Sequence, residues 1–298
     1  MGCPPVAGER HHTRAAGSYH WWMGDHYVTQ GYLRAWEVER RLWVYDREQG
    51  RGFMSRAKSV ANESGLYSPE LEALLAEQYD DKAIVALRRF SEGTTLSEAD
   101  RDIIARFLFV QWKRVPVGKR RIMERMPVRE QETERELMGM IDAAVAIDPA
   151  FEADAEAARR NVRTVFEKWG RKDRVALWHR LVTETTGPGV HEAIKSMNWV
   201  LIRVPDDSLF TCDNPLYFDT SIGLGREQSE LTFPLSPSTA LWAMRRSITP
   251  AAVARQGAKL GRQINARTAH NSARWVFAQR EQPWMEPFLK KRSRIETR

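Results

Sequence analysis

The spacing of apolar and polar positions changes character twice along this 298-residue chain. In "GDHYVTQGYLRAW", residues 24–36, Val28, Tyr32 and Trp36 recur every fourth position, which predicts one short amphipathic helix. At about 3.6 residues per turn, His26, Gln30, Arg34 and Glu37 share the opposite, polar face. "RRLWVYDRE" follows, with the β-rich run Leu42-Trp43-Val44-Tyr45 bounded by charges, and reads as a strand.

From about residue 68 the period becomes helical. Ser68 as N-cap and Pro69 at the first helical position open a helix whose stripe is Leu71, Leu74, Leu75, Tyr79, Ile84, Ala86 and Leu87. Ser97 opens the next, which ends before Pro116 and buries Ile103, Ile104, Phe107, Leu108 and Val110. Residues 119–146 and 148–169 give two more, split at Asp148-Pro149, and Lys172 to Thr186 another, stopped by "GPG" at 187–189.

After residue 198 the runs shorten. Residues 198–204, 208–212, 230–235, 239–246 and 274–279 are β-branched or aromatic and separated by turn residues, with a helical stretch over 250–272. The fold class is therefore α+β: a helix-rich N-terminal two-thirds, and a mainly antiparallel or mixed sheet built largely from the C-terminal third. The expected organisation is a flexible leader (1–23), one α+β domain (24–280; helical about 68–196, strand-rich about 198–280) and a basic tail (281–298).

Composition narrows the class. Hydrophobic residues at 42% and charged residues at 29% suit a soluble globular protein. No run of 18 apolar residues occurs, so no membrane helix is expected. The N-terminus lacks an apolar segment behind a basic start, and Pro4, Pro5 and Val6 do not fit a myristoylation signal. Two cysteines, Cys3 and Cys212, are too few for a disulfide framework or a structural zinc site, which points to a cytoplasmic protein with reduced thiols.

The net charge of +7 is unevenly placed: Arg245 to Arg298 holds 13 Lys/Arg against 3 Asp/Glu, so the rest is slightly acidic. A basic C-terminal region suits nucleic acid or another acidic partner. A solvated helix face followed by a disordered basic tail accounts for it somewhat better.

No nucleophile elbow, Walker loop, dinucleotide-binding turn, zincin helix or EF-hand loop is present. His11, His12 and His20 lie in the leader, and His179 and His191 have no ligand-spaced partner. Two stretches remain. The face of His26, Gln30 and Arg34 offers a proton carrier near neutral pH and a fork for phosphate or carboxylate, although a polar helix face is also simply a wet one. In "SLFTCDNPLYF", a strand end delivers Asp213 and Asn214 to a loop, where functional carboxylates are common. The same residues before Pro215 also make an ordinary side-chain-bonded turn.

"HYVTQGYLRAW", "RLWVYDR", "FTCDNPL", "LTFPLSP" and "QIN…ARWVFA" together resemble the bacterial domain-of-unknown-function family 4238, in order and over about residues 25–280. Thr29, Gly31 and Cys212 stand where that family has Pro, an aromatic residue and Ser. The resemblance transfers no activity. It implies where to look: His26, Gln30, Arg34, Gln111 and Arg114 of "QWKRVP", Asp213, Asn214 and Asn265.

Gln111 and Arg114 are neighbours on one helix face. If that helix end, the 26–34 face and the 213–214 turn converge, they hold two guanidiniums, a carboxylate and an imidazole. That inventory suits a phosphate-bearing ligand, with His26 or Asp213 as acid or base and Gln30, Arg34, Gln111, Arg114, Asn214 and Asn265 binding it. A divalent metal is compatible, but one His and one Asp are too few ligands to assign it.

The leading expectation is a phosphodiester- or nucleotide-directed hydrolase, a nuclease-like effector, although no D…E-x-K set is present. The alternatives are a non-catalytic protein whose His/Asp cluster is structural, and a module that binds nucleic acid or an acidic partner through its basic region. Oligomeric state and metal dependence are not set by the sequence.

Overall fold

A computed structural model of the chain describes residues 24–184, 189–205, 208–247 and 257–292. The expected leader and most of the "GPG" stop lie outside them. The architecture is α+β, with helices in the N-terminal two-thirds and antiparallel sheets drawn largely from the C-terminal region. No helix among the described residues is long and apolar enough to cross a membrane.

The first stretch departs from the predicted single helix. Asp25–His26 is a strand, β1, paired with β4 (Asn62–Glu63) through Asp25 opposite Glu63 and His26 opposite Asn62. Tyr27 N donates to Ala61 O at 3.0 Å, and Thr29 is still extended. Helix α1 covers only Gln30–Leu33, followed by a 3-10 turn, Arg34–Trp36. Cross-strand pairing has overridden the helical period. Val28, Tyr32 and Trp36 are nonetheless buried, as the spacing required.

Strand β2 (Leu42–Asp46) forms where expected and pairs with β3 (Arg51–Ser55), which the sequence reading did not find. β3 is exposed along most of its length and carries Arg51, Gly52 and Ser55, so no alternation marks it. The turn needs Gly50 at φ +65. Gly52 packs on the Trp43 indole, where a Cβ would collide.

The helical block starts with α2 (Pro69–Leu75), capped by Ser68 Oγ accepting from Leu71 N at 3.2 Å. A π turn, Ala76–Asp80, leads into α3 (Asp81–Glu92). Ser97 caps α4 (Glu98–Arg114) in a reciprocal box with Asp100. Pro116 starts α5 (Pro116–Ile147), and α6 (Glu152–Lys168) folds back along it after the break at Asp148-Pro149. Helices α7 (Arg171–Thr183) and α8 (Val190–Lys195) complete the block.

Two four-stranded sheets follow, ordered β3-β2-β10-β6 and β5-β9-β8-β7. Here β5 is Asn198–Arg203, β6 Thr211–Cys212, β7 Tyr217–Phe218, β8 Glu230–Pro234, β9 Thr239–Met244 and β10 Trp275–Ala278, with α9 (Gly257–Asn271) and α10 (Met285–Lys290) around β10. All pairings are antiparallel.

Strands β2 and β10 of the first sheet and β8 and β9 of the second are covered on two faces, which explains their continuous apolar runs. Leu42 and Val44 enter the main core with the helices, while Trp43 and Tyr45 enter a second cluster with Met285 and Leu289. In β9, Leu241 and Ala243 face the main core, and Ala240 and Trp242 pack with Ile264 of α9. The stretch expected to begin the basic tail thus includes a helix, α10, that covers the first sheet. Tyr32 ties the N-terminal helix to both sheets: its hydroxyl lies 2.6 Å from Thr211 Oγ1 and donates to Pro234 O at 2.9 Å.

Candidate functional site

The expected constellation separates into three environments. His26 lies on β1 rather than on the face of Gln30 and Arg34, so the shared helical face does not exist. Its ring is half-buried and its Nε2 has no partner. Burial lowers its pKa, hydrogen bonding to the backbone at Lys58 and Ala57 opposes this, and the Arg114 charge lowers it further. Gln30 and Arg34 bond to each other at 3.1 Å. Arg34 faces a hollow of about 340 Å³ beside Arg88, Glu92 and Ser236.

Gln111 and Arg114 do meet the N-terminal segment, but inside the protein. Gln111 Nε2 donates to Tyr27 O at 2.8 Å, and its Oε1 accepts from Arg114 Nη2 at 2.6 Å and Nε at 3.0 Å. Arg114 Nη1 donates to Asp80 at 2.9 Å. Arg114 is only 1% exposed, and its guanidinium is held by internal partners.

Asp213 is engaged in the same way. Its Oδ1 accepts from Ala273 N at 2.8 Å, and its Oδ2 from Arg274 N at 2.7 Å and Trp275 N at 2.9 Å. The carboxylate therefore closes the loop that leads into β10. Burial pushes its pKa up while these amides pull it back. Asn265 is likewise internal, accepting from Phe210 N at 3.3 Å and donating to Ser208 O at 2.8 Å.

Asn214, one residue on, opens onto a different space. Its Nδ2 donates to Asn271 O at 3.2 Å, but its Oδ1 is buried without a partner. It lines a pocket of about 550 Å³ with Trp112 at the end of α4, Arg120 and Arg121 on α5, Tyr217 on β7, and His270 at the end of α9. Asn271 fixes this wall by donating to Asn214 O at 2.5 Å and Leu216 O at 2.8 Å.

The α5 wall follows from local sequence. Val115 is extended and has no side chain to cap the helix, Pro116 sits at its start, and the first turn carries no acidic residue. The positive end of a 32-residue helix is thus left without an internal counter-charge at its first turn. The Arg121 guanidinium lies 3.7 Å from the Trp112 ring centre, and its Nη2 donates to Trp112 O at 2.9 Å. Its Nε is buried and unpartnered. Burial and then the neighbouring Arg125 push its pKa down to about 10. Arg120 has Glu124 at 3.8 Å, and His270 stands exposed at the rim.

Sequence reasoning missed Arg120, Arg121 and His270. The available signal was the basic triplet Lys119-Arg120-Arg121, which begins three residues after Pro116. A larger hollow, about 1220 Å³ along β5, is less suited to chemistry. There Arg101 is held by Lys195 O and Met197 O, and Lys195 by Glu98 and Asp102. Asp102, His191 and Glu192 lie close enough together to suggest a metal. However, Arg106 at 2.7 Å and Lys195 at 3.6 Å already neutralise Asp102, so the trio is better described as an ion-pair knot joining α8 to α4.

No curated protein and no solved structure matches this chain. A family model described as "Protein of unknown function (DUF4238)" matches residues 25–282. Since that match spans most of its length, the chain belongs to the DUF4238 family.

Proposed function

We propose that the chain acts on a phosphate-bearing ligand, a nucleotide or a phosphodiester end, in the pocket between α5, the 214–220 segment and the end of α9. The observation that supports this most is Arg121. It is a half-buried guanidinium with an unpartnered Nε, no carboxylate pairing with it among the described residues, and a pocket beside it. A phosphate oxygen satisfies that nitrogen and supplies the missing negative charge. The uncapped end of α5 adds favourable potential. The buried Asn214 Oδ1 then accepts from a hydroxyl or amino group of the same ligand, which distinguishes a nucleotide from bare phosphate.

His270 carries the hydrolytic part of the proposal. A water attacks phosphorus, the P–O bond to the leaving group breaks, His270 takes the water's proton, and the leaving oxygen is protonated from solvent. His26 and Asp213 are supporting residues in this reading, since Asp213 precedes Asn214 and fixes the loop that presents it.

The test is calorimetric titration with inorganic phosphate, ATP and a short single-stranded oligonucleotide, and turnover of the last two with Mg²⁺ or Mn²⁺. Arg121→Gln is expected to weaken binding roughly tenfold or more, Arg34→Gln to leave it unchanged, and His270→Ala to bind but not turn over. Equal binding by wild type and Arg121→Gln removes this pocket from consideration. Binding without turnover in the wild type leaves a binding module and removes the hydrolase.

A further inference from the structure

The hollow at Arg34 holds polar groups that the pocket at the start of α5 does not use. It lies between Gly31 to Ala35, helix α3, and the turn from β8 to β9. Its volume of about 340 Å³ is at the small end for a ligand site. Tyr32, Ile84, Leu87 and Leu235 give it an apolar lining. Gly31 lets the N-terminal segment close on α3, since a Cβ there would stand 3.2 Å from Ile84 Cγ1.

Two exposed guanidiniums, Arg34 and Arg88, line the same space. Arg34 gives only Nη2 to Gln30, at 3.1 Å, so its Nε and Nη1 are left over. Arg88 and Glu92 stand one turn apart on α3, yet no ion pair joins them. Among the described residues, neither guanidinium meets a carboxylate.

A third donor follows from counting protons. Thr239 Oγ1 lies 2.6 Å from Ser91 Oγ and 2.6 Å from Ser236 Oγ. Ser236 Oγ also accepts from Ser238 N at 3.3 Å and Thr239 N at 3.1 Å. Three hydroxyl protons thus serve two oxygen–oxygen contacts, and one proton is spare. Thr239 is 4% exposed, and a spare proton there would be buried without an acceptor. The spare donor therefore falls on Ser91 or Ser236, and both line the hollow.

We propose that this hollow binds a small monocarboxylate with an apolar body. Arg34, Arg88 and the spare seryl hydroxyl take the two carboxylate oxygens. The body lies against Tyr32, Ile84 and Leu87. A phosphate suits the space less well. Its further oxygen would meet apolar walls, and Glu92 opposes a second negative charge. A free acid and the apolar C-terminal residue of a peptide offer the same chemistry.

Ligand-observed NMR on the full chain, with 3-phenylpropionate and its amide as probes, tests this. The acid is expected to bind saturably and the amide roughly tenfold or more weakly. Arg34→Gln with Arg88→Gln should cost the acid roughly tenfold or more. Ala35→Phe should fill the hollow and abolish binding with unchanged circular dichroism, because Ala35 is exposed. Arg121→Gln should leave binding of the acid as it is, which separates this site from the pocket at the start of α5. The tripeptide Gly-Gly-Phe distinguishes the sources: tighter binding than 3-phenylpropionate assigns a peptide C-terminus, and weaker binding a free acid. Absence of saturable binding overturns the proposal. So does an amide that binds as well as the acid, or a double arginine variant that binds like the wild type.

Discussion

Asp80 and Arg114 form a 2.9 Å ion pair in which the guanidinium is 1% and the carboxylate side chain 13% exposed. Asp80 closes the π turn before α3, while Arg114 ends α4, so the pair locks two helices beside the segment that carries His26. Gln111 completes the lock by accepting from Arg114 and donating to Tyr27 O.

A buried ion pair is costly to break and cheaper to replace. Asp80→Ala is expected to destabilise the protein by about 3–5 kcal/mol, because it leaves a buried charge uncompensated. Adding Arg114→Met should recover part of that loss. Urea unfolding of both single variants and the double variant measures the coupling, and additive losses would show that no pair exists.

Asp213→Asn retains one acceptor but, with its amide nitrogen in place of Oδ2, turns a donor towards the amides of both Arg274 and Trp275. A loss of about 3 kcal/mol is expected from the charged hydrogen bonds removed. Hydrogen exchange should accelerate at those two amides before it does in the helices. Protection equal to the wild type would contradict the loop-closing role.

Glu72 gives a pH dependence of definite sign. Burial and then a hydrogen bond with Asp25 raise its pKa from 4.5 to about 7. The folded state therefore holds this proton more tightly than the unfolded chain does. The stabilisation is complete below pH 4.5 and is lost as pH rises through about 7. Glu72→Gln should flatten that part of the stability profile, as read from urea midpoints across the same range.

Lys113 has the opposite sign. Its Nζ donates to Leu181 O and, at 2.6 Å, to Glu184 O at the end of α7, and burial lowers its pKa from 10.5 to about 8. The unfolded chain binds this proton more tightly, so stability should rise between pH 8 and 10.5. Lys113→Met should remove the rise and expose the end of α7 to faster hydrogen exchange.

Gly118 tests the packing behind the pocket at the start of α5. A Cβ there would overlap Trp112 O. Gly118→Ala, ordinarily a helix-stabilising change, should instead destabilise by about 1–3 kcal/mol and weaken ligand binding with it. A higher melting temperature would show that the close approach is absent.

The sequence by itself determined the fold class and the helical block, because caps and apolar period are local signals. Ser68 and Ser97 mark starts that chain neighbours alone enforce, Pro116 ends the helix before it, and the buried Val28, Tyr32 and Trp36 obey their spacing. It also directed attention to the loop that holds Asn214. What it could not decide was pairing across distance. His26 is a strand residue because Asn62, 36 positions later, lies opposite it. Whether a polar residue faces a ligand or another part of the protein depends on partners brought together only by folding. Arg114 and Asp213 meet Asp80 and the 273–275 amides and are sealed, whereas Arg121, one of a basic triplet in the sequence, is left beside a pocket with a nitrogen unpaired. A polar side chain's type is local, but its remaining hydrogen-bonding capacity is set by the tertiary structure.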